Sequence, residues 1–463
     1  MRRAALAPLA LACACGHARL TAPAAPPEGD WSYVVDATRP PRLEVEVTLR
    51  GGGDARLVLG LPIERAAVRR EGAFVPLPVD AQGAVTAPEC RALCTVRYAV
   101  ALDRAPRGLD DVLEVGGATW LSPSYAWMLR PADGLPARVH TRFVEPPQAA
   151  PADGAPLAPA LFSTGARADT SSRDFAEGSF TAFGVQRRAA LDVAGARVEL
   201  SVLGRASIAG GDATLVAWAD AAARSVAALF GRFPVPRVVV YAVPVADADE
   251  VLFGKVLSLG GPSITVLVGE GTDAAAAKDD WVLTHEMVHL GFPTFLGEGR
   301  WLGEGVATYY EPLLRARAGV RDRAGTWRGF ARSMPRARAG GAELALEKRS
   351  DIDSVYWGGA LFALLADVRL RVETKGARSL DDVMRAVLAR GGDTTHVWRV
   401  RDVIALGDEV TGTRVMSDLY DRLALRGEPT DPRAELAALG VSEDALRDDA
   451  PLAWVREAIL PTR

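Results

Sequence analysis

Residues 284–290 read THEMVHL, and they hold two of the five histidines in a chain of 463 residues. On a helix, positions i and i+4 share a face with Cβ atoms roughly 6 Å apart, so His285 and His289 can aim two imidazoles at one ion. Glu286, about a third of a turn round, can reach a water held at that ion. The residue types suit a hydrolytic metal centre, with neutral nitrogen donors for the metal and a carboxylate to take a proton from water. The competing reading makes both histidines ordinary residues on an amphipathic helix, and the heptapeptide alone does not exclude it.

A second stretch, WLGEGVATYYE at 301–311, decides between them. A catalytic zinc site takes three protein ligands and keeps a fourth position open, and Glu304, near the start of a further helix, can return to the ion from the opposite side. Glu298, also in an LGEG setting, is the alternative third ligand. A third histidine six residues after His289 would mark a different class of zinc peptidase, but that place holds Phe295.

Together these pieces resemble the gluzincin (HExxH…E) zinc metallopeptidases, among them the membrane-alanyl aminopeptidases and, more loosely, the bacterial glycyl aminopeptidases. Residues 290–303 separate His289 from Glu304, a shorter spacer than is usual in the alanyl group, which makes the chain a divergent relative. The resemblance implies Zn2+ held by His285, His289 and Glu304, with Glu286 as general base. It also implies a tyrosine donor to the oxyanion before a long apolar helix. In SVYWGGALFALLADVRLR (354–371) that place is held by Tyr356, with Tyr309 and Tyr310 as the next candidates.

Alanyl aminopeptidases also carry a strand segment whose glutamate binds the substrate's free amine. Here the corresponding stretch reads SLGGPSITVLVGE (258–270), with Pro262 and Ser263 where that glutamate would be. Gly260 and Gly261 are the expected points of close substrate approach, on what reads as an edge strand. Removal of N-terminal residues and internal cleavage therefore both stay open. Outside peptidase activity, the alternatives are a zinc hydrolase of a non-peptide substrate and a non-catalytic envelope binding protein that retains a metal site.

Working outward, the zinc helix follows an alanine run, with Asp279 or Asp280 expected as its N-cap. RVELSVLG, RVVVYAVP and SITVLVGE read as strands, and ATLVAWADAAARSVAALFGRF as an amphipathic helix. Upstream, RLEVEVTLR, ARLVLGLPI, CTVRYAVAL and RVHTRFVEP alternate like strands between Gly, Pro and Asp turns. The expected class is α+β: an N-terminal β-sandwich followed by a thermolysin-like zinc peptidase domain of a mixed-sheet lobe and a helical lobe. The expected divisions are a signal peptide at 1–15, a Pro/Ala linker at 16–30, the sandwich at 31–165, the α+β lobe at 166–280 and the helical lobe at 281–463. Residues 148–160 read as a low-complexity loop.

Arg2 and Arg3 precede a short apolar run, the pattern of an exported protein's leader. LALAC, ending at Cys13, resembles a bacterial lipoprotein box, with Cys15 as the other candidate for lipidation. The expected location is periplasmic, lipid-anchored at the membrane or secreted. In that oxidising setting Cys90 and Cys94 read as a local disulfide, against two free core thiols. A formal net charge of −4, from 54 basic and 58 acidic residues, gives no nucleic-acid footprint and leaves a peptide or protein as the expected partner. His17, His140 and His396 read as structural or exposed, and the arginine-rich stretch 315–341 as a solvated face.

Overall fold

The computed structural model describes residues 29–51, 53–105, 112–132, 137–144, 168–170, 180–258, 261–295, 299–338 and 345–461. The leader with Cys13, Cys15 and His17, nearly all of the linker and the 148–160 loop lie outside them, as do Gly260 and Glu298.

The N-terminal region is built from β1 (Gly29–Arg39), β2 (Arg42–Arg50), β3 (Arg56–Val58), β4 (Ile63–Arg70), β5 (Ala73–Leu77), β6 (Val85–Thr86) and β7 (Leu93–Ala101). There follow β8 (Leu113–Val115), β9 (Thr119–Pro123), the helical turn α1 (Ser124–Trp127), β10 (Arg130–Pro131), β11 (Ala137–Val144), β12 (Ala168–Thr170) and β13 (Phe180–Gly184). A seven-stranded sheet runs β12-β11-β1-β2-β7-β4-β5. Alternate residues of its strands, such as Trp31, Tyr33 and Val35 on β1 and Val45 and Val47 on β2, turn inward and share one core with Leu57 and Val85 of the small β10-β3-β6 sheet. The period of two that marks these strands in the sequence is this inward and outward alternation. The Tyr33 hydroxyl donates to the Leu129 carbonyl at 2.7 Å and that of Tyr98 to the Trp127 carbonyl at 2.8 Å, which closes one end of the core. Cys90 and Cys94 are joined by a disulfide.

The second lobe is a five-stranded sheet of β14 (Gln186–Val193), β15 (Ala196–Leu203), β16 (Arg237–Val245), β17 (Val251–Leu257) and β18 (Ser263–Gly269), in the order β14-β15-β16-β18-β17. Both faces are covered, and the sequence of β16 shows why its apolar run is unbroken. Val238, Val240 and Ala242 pack under the long helix α2 (Gly211–Phe230). Val239, Tyr241 and Val243 pack against Leu121, Phe180 and Ala182 of the β13-β9-β8 sheet. A strand buried on both sides needs no polar face.

From residue 274 the chain is helical: α3 (Ala274–Asp279), α4 (Val282–His289), α5 (Arg300–Arg317), α6 (Arg323–Ser333), α7 (Gly359–Glu373), α8 (Leu380–Ala389), α9 (Val400–Thr411), α10 (Val415–Leu419), α11 (Pro432–Ala438) and α12 (Ala453–Ile459). The alanine run forms its own short helix, α3, capped by Asp273, rather than leading into α4. Neither expected cap holds the N-cap position of the histidine helix, which is Trp281; Asp280, one residue earlier, accepts from the Val282 N–H at 2.8 Å. Buried hydrogen bonds and ion pairs tie α5, α7 and α8 together. Tyr309 donates to Asp367 at 2.8 Å, Tyr310 to Asp381 at 2.9 Å, and Arg371 and Arg317 meet the same two carboxylates. This network occupies Tyr309 and Tyr310 as structural ties, which leaves Tyr356 as the tyrosine of the site.

Candidate metal centre and catalytic site

Helix α4 is buried along its length between the sheet and α5, so both histidines are held by their backbone and by packing before any ion arrives. His285 and His289 point their Nε2 atoms at Glu304 of α5. The His285 Nε2 and His289 Nε2 atoms are 3.3 Å apart, and the Glu304 Oε2 lies 3.3 Å from the first and 3.4 Å from the second. Metal bonds of about 2.0–2.1 Å at tetrahedral angles place ligand atoms about 3.3–3.4 Å apart. The three donor atoms therefore outline one face of a zinc tetrahedron, and two imidazoles with one carboxylate are the donor chemistry of a hydrolytic zinc site. No other group of three donors of this kind occurs among the described residues.

Electrostatics follow the geometry. Burial acts to raise Glu304, but hydrogen bonding to His285 and His289 outweighs it and holds the carboxyl well below the usual carboxylate range. Burial acts to lower His289, yet its bond to Glu304 pushes it above the usual histidine value. Glu286 is 9% exposed, and burial pushes its carboxyl up against the pull of the two histidines. A raised carboxylate is the stronger base, the property that proton abstraction from water requires.

Glu286 is positioned by a strand the sequence did not single out. β17 crosses α4 at Gly254, where a methyl group would stand 2.8 Å from the Glu286 Cγ and closer to Val282, so only glycine lets strand and helix approach this far. Two residues on, the Val256 backbone N–H hydrogen-bonds to the Glu286 carboxylate. Here one expectation is corrected. Residues 258–270 read as an edge strand, but β18 within them lies between β16 and β17 and its backbone groups are consumed on both sides. The sheet's edge beside the metal site is β17. Gly261, with φ of 124°, stands two residues before the interior strand β18.

Tyr356 lies in a single wide helical turn, Ser354–Gly358, that leads into α7. Its ring stacks on His285, with centroids 5.8 Å apart and planes 11° apart, and its hydroxyl hydrogen-bonds to Glu304. Burial and the charges of Glu304 and Glu286 raise its pKa, so at neutral pH it remains a phenol and a hydrogen-bond donor. Helices α5 and α7 meet at Gly305 and Gly359, which brings the residue after Glu304 against the segment that carries Tyr356.

Two further residues escaped sequence reading although helix periodicity could have pointed to them. Glu311, seven residues after Glu304 and so on a similar face of α5, is buried, bonds Arg315 at 2.9 Å and feels the charge of His285. Arg300, four residues before Glu304, places its Nε 3.8 Å from the Glu304 Oε1. His140 and His396 stand elsewhere, beside Asp30 and Asp393.

The same architecture is found in solved structures of low sequence identity. An aminopeptidase N family protein from Idiomarina loihiensis superposes with a TM-score of 0.64 at 16% identity, covering 89% of this chain and 78% of that one. The chain has the M1 zinc metallopeptidase fold. An M1 zinc metallopeptidase from Deinococcus radiodurans gives a TM-score of 0.55 at 18% identity over 87% of this chain and 95% of its own. Yeast LTA4 hydrolase gives 0.52 at 10% identity over 89% and 71%. No family model matches the sequence, and no curated protein matches it. The fold is shared where the sequence has diverged, and the expected α+β arrangement of an N-terminal β domain, a mixed-sheet lobe and a helical lobe is the one observed.

Proposed function

We propose that the chain is a zinc-dependent peptidase of the bacterial envelope. The observation that carries this reading is the triangle of His285, His289 and Glu304 donor atoms, with edges of 3.3, 3.3 and 3.4 Å, accompanied by the buried carboxylate of Glu286 and the phenol of Tyr356. A metal site kept for stability alone has no use for Glu286 or for Tyr356. The neighbouring fold supports a peptide substrate, since a variant of the Deinococcus radiodurans protein is known bound to a Tyr-Ser-Ala substrate. The disulfide, together with the leader-like N-terminal sequence, supports an exported protein.

His285, His289 and Glu304 would hold the zinc, which would supply Lewis-acid polarisation of the scissile carbonyl and of a water. The protein's own groups do the rest. The deprotonated Glu286, held by the Val256 N–H, takes the proton of the attacking water and delivers it to the leaving amine. Tyr356 donates a hydrogen bond to the oxygen on which negative charge develops. Burial, with the charges of Glu304 and Glu286, keeps that donor protonated, and β17, the outer strand of the sheet among the described residues, offers an edge along which an extended peptide lies.

The test is mass spectrometry of a mixed peptide pool after incubation with the zinc-loaded protein, its chelator-treated form and the Glu286→Gln variant. New termini with the zinc-loaded protein alone are expected, and their positions assign internal or end-directed cleavage. Equal cleavage by Glu286→Gln would overturn the base assignment. No cleavage by zinc-loaded protein would overturn the peptidase reading.

A further inference from the structure

Resting on the peptidase reading, the distribution of charge around the metal centre says what kind of peptide the site accepts. A bound zinc brings two positive charges, and Glu286 and Glu304 balance them. Arg300 is left over. It is the first residue of α5, its side chain is 60% exposed, and among the described residues its ion-pair partner is Glu304, at 3.8 Å. Glu304 points its other oxygen, Oε2, at both histidines, so a bound metal draws away the charge that Arg300 faces. The guanidinium and the Tyr356 hydroxyl both stand at Glu304, the first 3.8 Å from its Oε1 and the second hydrogen-bonded to its carboxylate, so the cation lies near the oxyanion donor. A site that holds peptides by a free N-terminal amine needs a spare carboxylate there. Glu286 and Glu304 are committed to the metal centre, and Asp353, beside the Tyr356 turn, forms an ion pair with Arg336 at 2.5 Å. An ammonium group would meet an uncompensated cation in this mouth, whereas a carboxylate would complete it with the fork geometry guanidinium favours.

We propose that Arg300 is a specificity-determining residue that binds a substrate carboxylate close to the scissile bond, so that the enzyme selects peptides bearing negative charge there over peptides presenting a free amine. The carboxylate comes either from an acidic side chain or from a C-terminus one or two residues past the bond.

The experiment measures binding, separately from turnover, to the zinc-loaded Glu286→Gln protein by calorimetry. One arm uses peptide pairs differing by Asp against Asn at each position, and the other uses pairs differing by a free against an amidated C-terminus. The carboxylate member of one pair is expected to bind roughly 10-fold to 100-fold more tightly, the range of a hydrogen-bonded charge, and the preference shrinks as salt is raised. Adding Arg300→Gln removes the preference while zinc content, read by metal analysis, is retained; Arg300→Lys restores part of it. Equal binding of every pair, or a preference unchanged by Arg300→Gln, overturns the proposal. If the wild-type protein cuts peptides with no preference for a nearby carboxylate, this inference fails and the peptidase reading stands. If the binding preference holds but nothing is cut, the peptidase reading fails and the role of Arg300 stands.

Discussion

Glu304 is flanked by two glycines, and the structure predicts opposite outcomes when each becomes alanine. At Gly303 an added methyl would lie 3.7 Å from the Phe295 ring, an ordinary contact. At Gly305 it would stand 2.7 Å from the Ala360 nitrogen and nearer still to the Gly359 Cα and carbonyl carbon, all backbone of the facing helix α7. Contact at about 3.4 Å is the least such atoms tolerate, so α5 and α7 must part by at least about 0.7 Å, and by about 1 Å once Gly359 is counted. Alanine in place of glycine in a helix gains about 0.5–1 kcal/mol in either variant. For Gly303→Ala that is the whole effect, a slight stabilisation with full zinc affinity. For Gly305→Ala, overpacking costs about 1–3 kcal/mol and outweighs the gain. The same displacement moves Glu304 relative to the histidines by more than the ~0.2 Å a metal site absorbs, and misplacement by about 1 Å costs on the order of 100-fold in kcat/KM. Thermal unfolding of the metal-free proteins isolates the packing term, and zinc titration followed by peptide hydrolysis reads the rest. Wild-type melting and zinc affinity in Gly305→Ala, or equal damage from Gly303→Ala, would refute the reasoning.

Tyr356→Phe keeps the ring stacked on His285 and removes only the donor, so kcat should fall about 100-fold to 1,000-fold with KM and zinc content little changed; an unchanged kcat in steady-state assays would remove Tyr356 from the mechanism. Burial pushes Asp280, two residues before the start of α4, up to about 7, against its bond to the Val282 N–H and the charge of Arg315. A carboxyl raised in the folded state favours folding while protonated. That advantage is fully present below its ordinary value of 3.8 and is lost as pH rises through about 7. The ceiling of about 4 kcal/mol falls to about 1–2 once partial exposure is allowed for. Asp280→Asn should therefore be more stable than wild type by about that amount at pH 8 and no more stable near pH 4, as chemical denaturation at the two pH values would reveal.

Much of the site was legible before folding because a helix converts sequence spacing directly into geometry. His285, Glu286 and His289 fall within one turn and a half, so their relation to one ion is a property of the α-helix and of no other part of the protein. The β-strand alternation of the N-terminal domain was legible for the same local reason, whereas Glu304 was suggested by its WLGEG setting and meets the histidines only through the packing of α5 on α4. Choosing among Tyr309, Tyr310 and Tyr356 was not a local matter. All three stand in or beside helices, and only the packing of α7 and α8 shows that the first two are consumed by Asp367 and Asp381.

What the sequence by itself determined is the pairing of His285 with His289, the carboxylate of Glu286 beside them and the alternation of strands and helices, each fixed by interactions between residues a few positions apart. What the tertiary structure alone decided is which strand forms the edge, what holds Glu286 and which charge is left uncompensated. The sheet order puts β18 inside and β17 outside, against the order of the chain, so the outer strand could not be read along the sequence. The contact of Gly254 with Glu286 joins segments on different elements, and the surplus charge of Arg300 exists only once Glu304 has turned to the histidines. These depend on distances between segments far apart along the backbone, which periodicity does not encode.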